Sequence, residues 1–285
     1  MANPTVIEAQ QWAFSCFKAV TNKSIEDVGQ LPEVIMSDLF GWSRTKLLLS
    51  LRDTLTTTQW TAYQQAVNRI VAGEPEQYVV GKATFYGRPF QVTPAVLIPR
   101  PETEELIDWV LSDWGKVSLK RVLDIGTGSG ALAITLALER PQWQLTATDI
   151  SAAAVAVAQH NALALNTKLN WGVGDLFTPV NEQSFDLVIS NPPYISQREQ
   201  SLMDESVLNY EPHEALFAAH DGLAIYERIA AQLVDHLSPN GAAYFEIGFA
   251  QGPAVVALMK NAIPQADVSL KQDVTGHDRM IRVRL

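Results

Sequence analysis

The 285-residue chain is poor in cysteine, has no long apolar run and carries fewer basic than acidic residues. Its single cysteine, Cys16, excludes an intrachain disulfide and a cysteine-based zinc site, and we expect it to pack on a helix. No segment approaches the roughly 20 apolar residues of a membrane span. The opening segment, MANPTVIEAQQW, also lacks the basic-then-apolar pattern of a secretory signal. We therefore expect a cytoplasmic protein that does not contact a membrane.

The charge balance narrows the class of partner. The chain has 21 Lys and Arg against 31 Asp and Glu, a formal charge of -10. Proteins that hold nucleic acid through its phosphates usually present a basic face, so direct nucleic-acid binding is not expected. The five histidines are scattered without the spacing of metal ligands, and we expect no metal site.

Three regions follow one another along the chain. Residues 1–75 place apolar side chains at helical spacing in VIEAQQWAFSCFKAV and TTTQWTAYQQAVNRIVAG, with Ser43 as the predicted N-cap of a shorter helix. This pattern predicts a small helical bundle. Residues 76–98 are rich in β-branched and aromatic residues and contain Gly81, Gly87 and Pro89, which predicts a linking β-hairpin. Residues 99–285 form the third region.

In the third region, strand patterns alternate with helix patterns. Thr103 is the predicted cap of the first helix, and the strands are RVLDI, QLTATDI, LNWGVGD, FDLVIS, GAAYFEIG, ADVSLKQD and RMIRVRL. Seven strands that alternate with helices predict an α/β fold with a mostly parallel sheet covered on both faces.

A glycine loop follows the first of these strands. RVLDIGTGSGAL places Gly126, Gly128 and Gly130 between a strand and a helix, where glycine permits a tight turn and a close approach of backbone N–H groups to a ligand. The next strand ends at Asp149, an acid placed to accept both hydroxyls of a ribose. A tight strand–helix turn without a ligand is the alternative.

A second motif, Asn191-Pro192-Pro193-Tyr194, ends the strand FDLVIS. The prolines fix two φ angles and hold Asn191 out of the helical region. They stiffen a loop or frame a ligand. The tetrapeptide resembles the signature of enzymes that methylate a nitrogen conjugated to a carbonyl or an aromatic ring, such as the amide of glutamine or the exocyclic amine of adenine. Such a nitrogen is a poor nucleophile that cannot be deprotonated at pH 7, so it is helped most by two acceptors aimed at its N–H bonds. We predict the Asn191 side-chain oxygen and the Pro192 carbonyl as these acceptors, with Tyr194 packed over the planar target.

The segment from Asp124 to Gly130, D-x-G-x-G-x-G, resembles the cofactor loop of the S-adenosylmethionine-dependent methyltransferases, which share a seven-stranded Rossmann-like domain with a reversed final strand. This resemblance implies that S-adenosylmethionine binds here without a metal and leaves as S-adenosylhomocysteine. The implied cofactor-binding residues are Asp124, Gly126, Thr127, Gly128, Ser129, Gly130, Asp149, Ile150, Asp175 and Leu176, together with Thr103 and Asn191.

Four segments together narrow the resemblance. QYVVGKATFYGRPFQVTPAVLIPRPETEELI, DIGTGSGAL, NPPYI and YEPHEAL resemble the HemK-type (PrmC) family, the release-factor glutamine N5-methyltransferases, over roughly residues 75–285. The resemblance implies methylation of the glutamine in the Gly-Gly-Gln motif of class 1 peptide-chain release factors. We expect the helical region 1–75 to recognise that substrate. The form IPRPET favours this branch over the relative that methylates a ribosomal-protein glutamine.

Alternatives remain open at this point. A DNA adenine-N6 methyltransferase would use the same loop, but residues 1–76 hold six Lys and Arg against eight Asp and Glu. A non-enzymatic nucleotide binder would gain nothing from paired acceptors, and an NAD-dependent oxidoreductase has no use for the NPPY tetrapeptide.

The roles of three single residues are also open. Phe85 either forms an aromatic wall against the glutamine or packs in the hairpin core. Arg100 either braces the cofactor loop or neutralises the local acids Glu102, Glu104 and Glu105, and Glu211 is predicted to brace the NPPY loop.

Overall fold

The computed structural model describes residues 3–20, 28–115 and 119–285. The chain divides into two compact units: Met1–Gly81 with Glu205–Tyr210, and Lys82–Asp204 with Glu211–Leu285. The functional boundaries 1–75, 76–98 and 99–285 stay predictions.

The helices and strands are numbered in chain order. The helices are α1 Val6–Val20, α2 Leu31–Phe40, α3 Arg44–Leu49, α4 Thr57–Val71, α5 Glu76–Val80, α6 Pro101–Asp113, α7 Ala131–Glu139, α8 Ala152–Ala164, α9 Glu205–Tyr210, α10 His213–Leu216, α11 Ala224–His236 and α12 Gly252–Ala262. The strands are β1 Lys82–Phe85, β2 Arg88–Gln91, β3 Arg121–Ile125, β4 Gln144–Asp149, β5 Asn170–Val173, β6 Phe185–Ser190, β7 Leu237–Glu246, β8 Asp267–Gln272 and β9 Asp278–Arg284.

The first unit is helical, as the apolar periodicity predicts. Its helices bury one apolar core to which α1, α2 and α4 contribute most, and Cys16 of α1 is partly buried. Ser43 caps α3 by accepting a hydrogen bond from the Lys46 backbone N–H at 3.1 Å, as predicted. The same helix leaves two apolar side chains in solvent, with Leu48 53% and Leu49 80% exposed.

The hairpin is shorter than predicted. β1 and β2 pair antiparallel through a two-residue turn at Tyr86 and Gly87, which both adopt left-handed φ angles of 50° and 70°. Residues 76–80, predicted as part of the hairpin, instead form α5. This helix ends at Gly81 with a φ of 76°. Val79 of α5 is buried in the core of the helical unit, so packing outweighs its preference for a strand.

The second unit contains a seven-stranded sheet in the order β5-β4-β3-β6-β7-β9-β8. β9 is antiparallel to both of its neighbours, and the pairs from β5 to β7 are all parallel. The predicted α/β fold with a reversed final strand is therefore confirmed. β3 lies between β4 and β6, so the strand order changes direction there and the carboxyl ends of these strands open a crevice.

Alternate residues of each central strand serve opposite faces of the sheet. Leu123 of β3 belongs to the core covered by α11 and α12, whereas its neighbour Val122 belongs to the core covered by α6 and α7. Both faces are apolar, which explains the nearly continuous hydrophobic strands in the sequence.

Helix α6 begins earlier than predicted. Its first residue is Pro101 and its N-cap is Arg100, so the prediction of Thr103 as the cap is wrong. Proline suits the first helical position because its fixed φ is already helical and its missing N–H would have no partner there. Thr103 consequently lies one turn into the helix, where its side chain is buried.

Gly130 provides a test of close packing between α7 and α8. A Cβ on Gly130 would lie 2.7 Å from Ile134 Cδ1 and 3.1 Å from Ala158 Cβ, and its φ is +82°. We expect Gly130→Ala to lower the free energy of unfolding by about 3 kcal/mol, from overpacking and the left-handed backbone together. Gly87→Ala is the matched control, since Gly87 has a φ of +70° with no atom within 4 Å of a built Cβ. Urea unfolding should show the smaller loss, about 1 kcal/mol, for the control. Equal losses would show that the contacts at Gly130 contribute nothing.

Candidate active site

A cavity of about 530 Å³ lies in the second unit at the carboxyl ends of β3, β4 and β6. This volume falls in the range of roughly 300–1,000 Å³ that is typical of small-molecule sites. The predicted site residues that line it are Thr103, Gly126, Thr127, Gly128, Ser129, Asp149, Ile150, Asp175, Leu176, Asn191, Pro192 and Pro193. Asp124, Gly130, Tyr194 and Phe85 were also predicted for the site but are not among the lining residues.

The glycine loop is held against the end of β4. The backbone N–H groups of Gly126 and Thr127 both donate to the Thr148 carbonyl at 2.9 Å. Gly126 and Gly128 adopt φ angles of +70° and +55°, and a Cβ on either would meet no atom within 4 Å. These two glycines therefore serve the turn itself and leave the cavity side of the loop open for a ligand.

Asp124 lies beneath the loop and has no exposed surface. Its carboxylate accepts a hydrogen bond from the Thr127 hydroxyl at 2.6 Å, and burial raises the pKa of Asp124 to about 7. Asp124 therefore supports the loop from behind the cavity lining, and its contact with the cofactor stays a prediction. Gly130 likewise packs against α7 and α8 and leaves the cavity lining to its neighbours.

Asp149 is presented to the cavity by the backbone around it. One carboxylate oxygen accepts the Gly128 N–H at 2.9 Å and the other accepts the Ser151 N–H at 2.9 Å. Burial raises the pKa of Asp149, while these hydrogen bonds oppose that shift. Asp149 lines the cavity and carboxylate oxygens accept more than one hydrogen bond, so this group can receive hydroxyls of a sugar.

Beside Asp149, the lining becomes apolar. Ile150 is 53% exposed, and Leu176 adopts a left-handed φ of 47°. An acid for a diol with aliphatic side chains next to it suits an adenosine, so the residues present fit an adenosyl group. Asp175 forms an ion pair with Arg228 of α11, which also lines the cavity. Arg228 was not predicted, because it lies 53 residues from Asp175 in the chain.

Asn191 is oriented by a hydrogen-bonded side chain on α6. The Asn191 side-chain nitrogen donates to the Thr103 hydroxyl oxygen at 3.2 Å, and that hydroxyl donates to Glu246 Oε2 at 2.6 Å. Among residues 3–20, 28–115 and 119–285, no donor is bonded to Asn191 Oδ1 or to the Pro192 carbonyl oxygen. Both predicted acceptors belong to cavity-lining residues and keep their hydrogen-bonding capacity.

Tyr194 lies behind the cavity lining. Its hydroxyl donates to Glu246 Oε1 at 3.3 Å, its carbonyl accepts from Gln251 Nε2 at 2.9 Å, and its ring packs against the core under α11 and α12. Burial raises the pKa of Tyr194. The ring therefore anchors the tetrapeptide, and its packing over the target amide stays a prediction.

Phe85 packs in the core, so the second of its two predicted roles is observed. It is fully buried, with its ring edge-to-face on Phe90 at a centroid distance of 6.0 Å. Arg100 fulfils neither predicted role: its guanidinium pairs with Glu211 at 2.5 Å. The other Glu211 oxygen accepts the Ile98 backbone N–H at 3.3 Å, so Glu211 braces the segment before α6 and not the NPPY loop.

Sequence reasoning missed Glu246. A signal was present, because this acid interrupts the apolar strand GAAYFEIG. A charged residue in a strand buried on both faces needs partners, and these are rarely evident from the local sequence.

The described residues contain neither a cluster of metal-binding side chains nor a helix that could cross a membrane. No group of three or more His, Cys, Asp or Glu side chains in that part of the chain could hold a metal ion. In the same residues, no helix combines the length and the apolar character needed to cross a bilayer.

Two family models match the chain. Residues 8–81 match the PrmC N-terminal domain, and residues 107–211 match the methyltransferase small domain. A methyltransferase structure from Pyrococcus furiosus has a TM-score of 0.52 at 15% identity, covering 80% of this chain and 98% of that chain. This likeness shows the fold.

Curated relatives match over nearly their whole length. The release factor glutamine methyltransferase of Lactococcus lactis is 43% identical over 91% of this chain and 95% of its own. The protein of the same name from Streptococcus pneumoniae is 41% identical over 95% of this chain and 96% of its own. The chain therefore belongs to the release factor glutamine methyltransferase family.

Proposed function

We propose that this protein transfers a methyl group from S-adenosylmethionine to the side-chain nitrogen N5 of the glutamine in the Gly-Gly-Gln motif of class 1 peptide-chain release factors. The observation that carries the proposal is the pair of acceptor oxygens, on Asn191 and Pro192, at a cavity that fits an adenosyl group. The names of the relatives agree with it.

The cofactor would lie between the glycine loop and Asp149. Gly126, Thr127, Gly128 and Ser129 would border its methionine part, Asp149 its ribose, and Ile150 and Leu176 its adenine. When bound, S-adenosylmethionine supplies a methyl group activated by a positively charged sulfur, and it leaves as S-adenosylhomocysteine. Because the electrophile is already activated, the protein has to position the nitrogen.

Positioning falls to the NPPY tetrapeptide. Asn191 Oδ1 and the Pro192 carbonyl accept the two N–H bonds of the glutamine amide, which turns the nitrogen lone pair out of conjugation with its carbonyl. The same oxygens stabilise the positive charge that develops on the nitrogen as it gains its new bond. Pro192 and Pro193 keep these oxygens from relaxing, and the extra proton of the product nitrogen passes to water.

The other substrate classes receive less support. A DNA adenine would meet a chain with a formal charge of -10, which opposes phosphate binding. A ribosomal-protein glutamine would suit the same acceptors. Incubating the protein with labelled cofactor and either a class 1 release factor or the ribosomal protein, followed by mass spectrometry, separates them. Label on the release-factor glutamine is the expected result. Because release factors act on ribosomes, the cytoplasm is the proposed site of action.

The helical unit would recognise the body of the release factor. It has a core of its own, none of its described residues lines the cavity, and Leu48 and Leu49 on α3 are exposed. Exposed apolar side chains side by side are typical of surfaces that contact another protein.

The cofactor role of Asp149 is tested by Asp149→Asn. The asparagine side chain keeps the shape of the aspartate but loses its charge, and its NH₂ group replaces one acceptor oxygen with a donor. We therefore expect the Kd for S-adenosylmethionine to rise about tenfold or more. Asp186→Asn is the matched control, because Asp186 also accepts a backbone N–H, from Arg121 at 2.8 Å, at the opposite end of the sheet. Calorimetric titration measures both variants. An unchanged Kd in Asp149→Asn would remove the ribose assignment.

The acceptor role of Asn191 is tested by Asn191→Ala. Loss of one positioned acceptor should lower kcat by about a hundredfold to a thousandfold, as for other groups that stabilise developing charge. The Kd for S-adenosylmethionine should stay within about threefold of wild type, since the cofactor rests on other residues. Asn170→Ala, at the exposed amino end of β5, should leave both constants unchanged. Wild-type turnover in Asn191→Ala would contradict the mechanism.

The role of the helical unit is tested by Leu49→Asp. With the intact release factor as substrate, kcat/KM should fall about tenfold, which corresponds to about 1.4 kcal/mol of lost contact. With a short Gly-Gly-Gln peptide it should not change. Leu163→Asp is the control, since Leu163 is 77% exposed on α8 of the other unit. Equal rates for Leu49→Asp and wild type on the intact factor would argue against recognition through α3.

A further inference from the structure

Glu246 is a buried acid at the end of β7 whose two oxygens both accept hydrogen bonds from the neighbourhood of the NPPY tetrapeptide. It is 2% exposed. Oε2 accepts the Thr103 hydroxyl at 2.6 Å, and Oε1 accepts the Tyr194 hydroxyl at 3.3 Å. The Tyr226 hydroxyl donates to the backbone carbonyl of Glu246 at 2.6 Å, which holds the main chain of Glu246 in place.

The direction of these hydrogen bonds determines which end of the Asn191 amide faces Thr103. A hydroxyl has one proton to donate, and Thr103 donates its proton to Glu246. Its oxygen can then only accept from Asn191, so the amide must offer its NH₂ group, as observed at 3.2 Å. Asn191 Oδ1 is thereby turned away from Thr103.

This selection matters because an amide has little preference of its own. The last torsion of asparagine is broad and nearly two-fold, so rotation that exchanges nitrogen and oxygen costs little in isolation. If the Asn191 NH₂ group faced the target glutamine, it would meet the N–H bonds of the glutamine amide, which are also donors. No hydrogen bond would form, and the developing positive charge on the nitrogen would not be stabilised. A fixed reference acceptor is needed to break the symmetry, and an ionised carboxylate has no proton to offer in return.

Burial of the carboxyl has a cost that its neighbours offset. Burial raises the pKa of Glu246, whereas the Thr103 hydrogen bond, the charge of Arg279 and the Tyr194 hydrogen bond act in the opposite direction. Arg279 is itself held by Asp273 at 3.2 Å. The acid is thus built into a network of hydrogen bonds and charge around one end of the tetrapeptide.

We propose that Thr103 and Glu246 are positioning residues for methyl transfer, which orient the Asn191 amide so that its oxygen is presented to the substrate nitrogen. The inference rests on the proposed function, in which Asn191 Oδ1 is an acceptor. It assigns Thr103 a task different from the cofactor contact predicted from the sequence. Through Tyr194, the same carboxylate also anchors the other end of the tetrapeptide.

Three threonine variants test the inference. Thr103→Val keeps the volume and loses the hydroxyl, whereas Thr103→Ser keeps the hydroxyl and loses a methyl group. We expect kcat to fall on the order of tenfold to a hundredfold in the valine variant and to stay near wild type in the serine variant. The control is Thr135→Val, because Thr135 on α7 is fully buried and its hydroxyl has no partner among the described residues. Its kcat should equal that of wild type.

The accompanying measurements separate position from stability and binding. Thermal unfolding and cofactor titration are recorded for every variant, and the Kd for S-adenosylmethionine should be unchanged in all of them. In ¹⁵N spectra, the Asn191 side-chain NH₂ protons should be protected from exchange in wild type and Thr103→Ser and lose protection in Thr103→Val. This readout does not depend on turnover. If the valine variant does not fold, Thr103→Ala, which also lacks the hydroxyl, takes its place.

The outcomes distinguish the two proposals. A wild-type protein that does not methylate the release factor would overturn the proposed function. The positioning role would be overturned if the wild-type protein methylates the release factor and Thr103→Val is equally active. It would also be overturned if Thr103→Ser is as slow as Thr103→Val. A slow valine variant with active serine and Thr135→Val variants, and with Asn191 protection lost only in valine, would support it.

Discussion

The parallel pairing of β3 with β4 on one side and β6 on the other is the constraint on which the site depends. Each of these strands ends in one element of the cavity: the glycine loop, Asp149 and the NPPY tetrapeptide. Hydrogen bonds tie the three ends to one another, since the Ser190 hydroxyl donates to the Ile125 carbonyl at 2.7 Å and the loop donates to Thr148. The distances across the cavity are therefore set by sheet register, which is among the stiffest features of a protein.

Polar groups buried behind this edge make the arrangement specific. Asp124, Thr103 and Glu246 are each more than nine-tenths buried, and a buried polar group without a partner costs on the order of 1–3 kcal/mol. The carboxylates of Asp124 and Glu246 each accept a threonine hydroxyl, so displacing either threonine would remove one hydrogen bond from a buried acid. Such pairs favour one arrangement of the loops over near alternatives more than they add to net stability.

Local sequence predicted the fold and the two motifs because each depends on patterns over short stretches of the chain. Alternation of apolar strands and helices predicted the sheet, and the glycine loop and the NPPY tetrapeptide each occupy a few consecutive residues. Contacts that join distant positions could not be predicted in this way. The Thr103–Glu246 hydrogen bond joins residues that are 143 positions apart, and it provides the buried Thr103 hydroxyl with a partner.

Neither Asp124 nor Tyr194 lines the cavity, although both were predicted for the site, and the reason is related. A motif indicates which residues are near a ligand, but not which of them support the others from behind. Asp124 accepts a hydrogen bond from the lining residue Thr127, and the Tyr194 hydroxyl donates to the buried Glu246. The hairpin was overextended because Val79 and Val80 favour strands, although packing in the helical core places them in α5.

A site that works through acceptors makes different demands on its scaffold from one that works through a base. A general base is tuned through its pKa as well as through its position. Two neutral acceptor oxygens depend on position alone, and their hydrogen bonds weaken steeply as they leave the line of an N–H bond. The tetrapeptide is accordingly fixed at both ends, with Asn191 held through Thr103 and the Tyr194 carbonyl held by Gln251. Between these anchors the two prolines remove the remaining φ freedom. The hydrogen bonds and prolines that form on folding therefore fix the two acceptor oxygens before the substrate binds. Such prior positioning lowers the cost of reaching the geometry needed for methyl transfer.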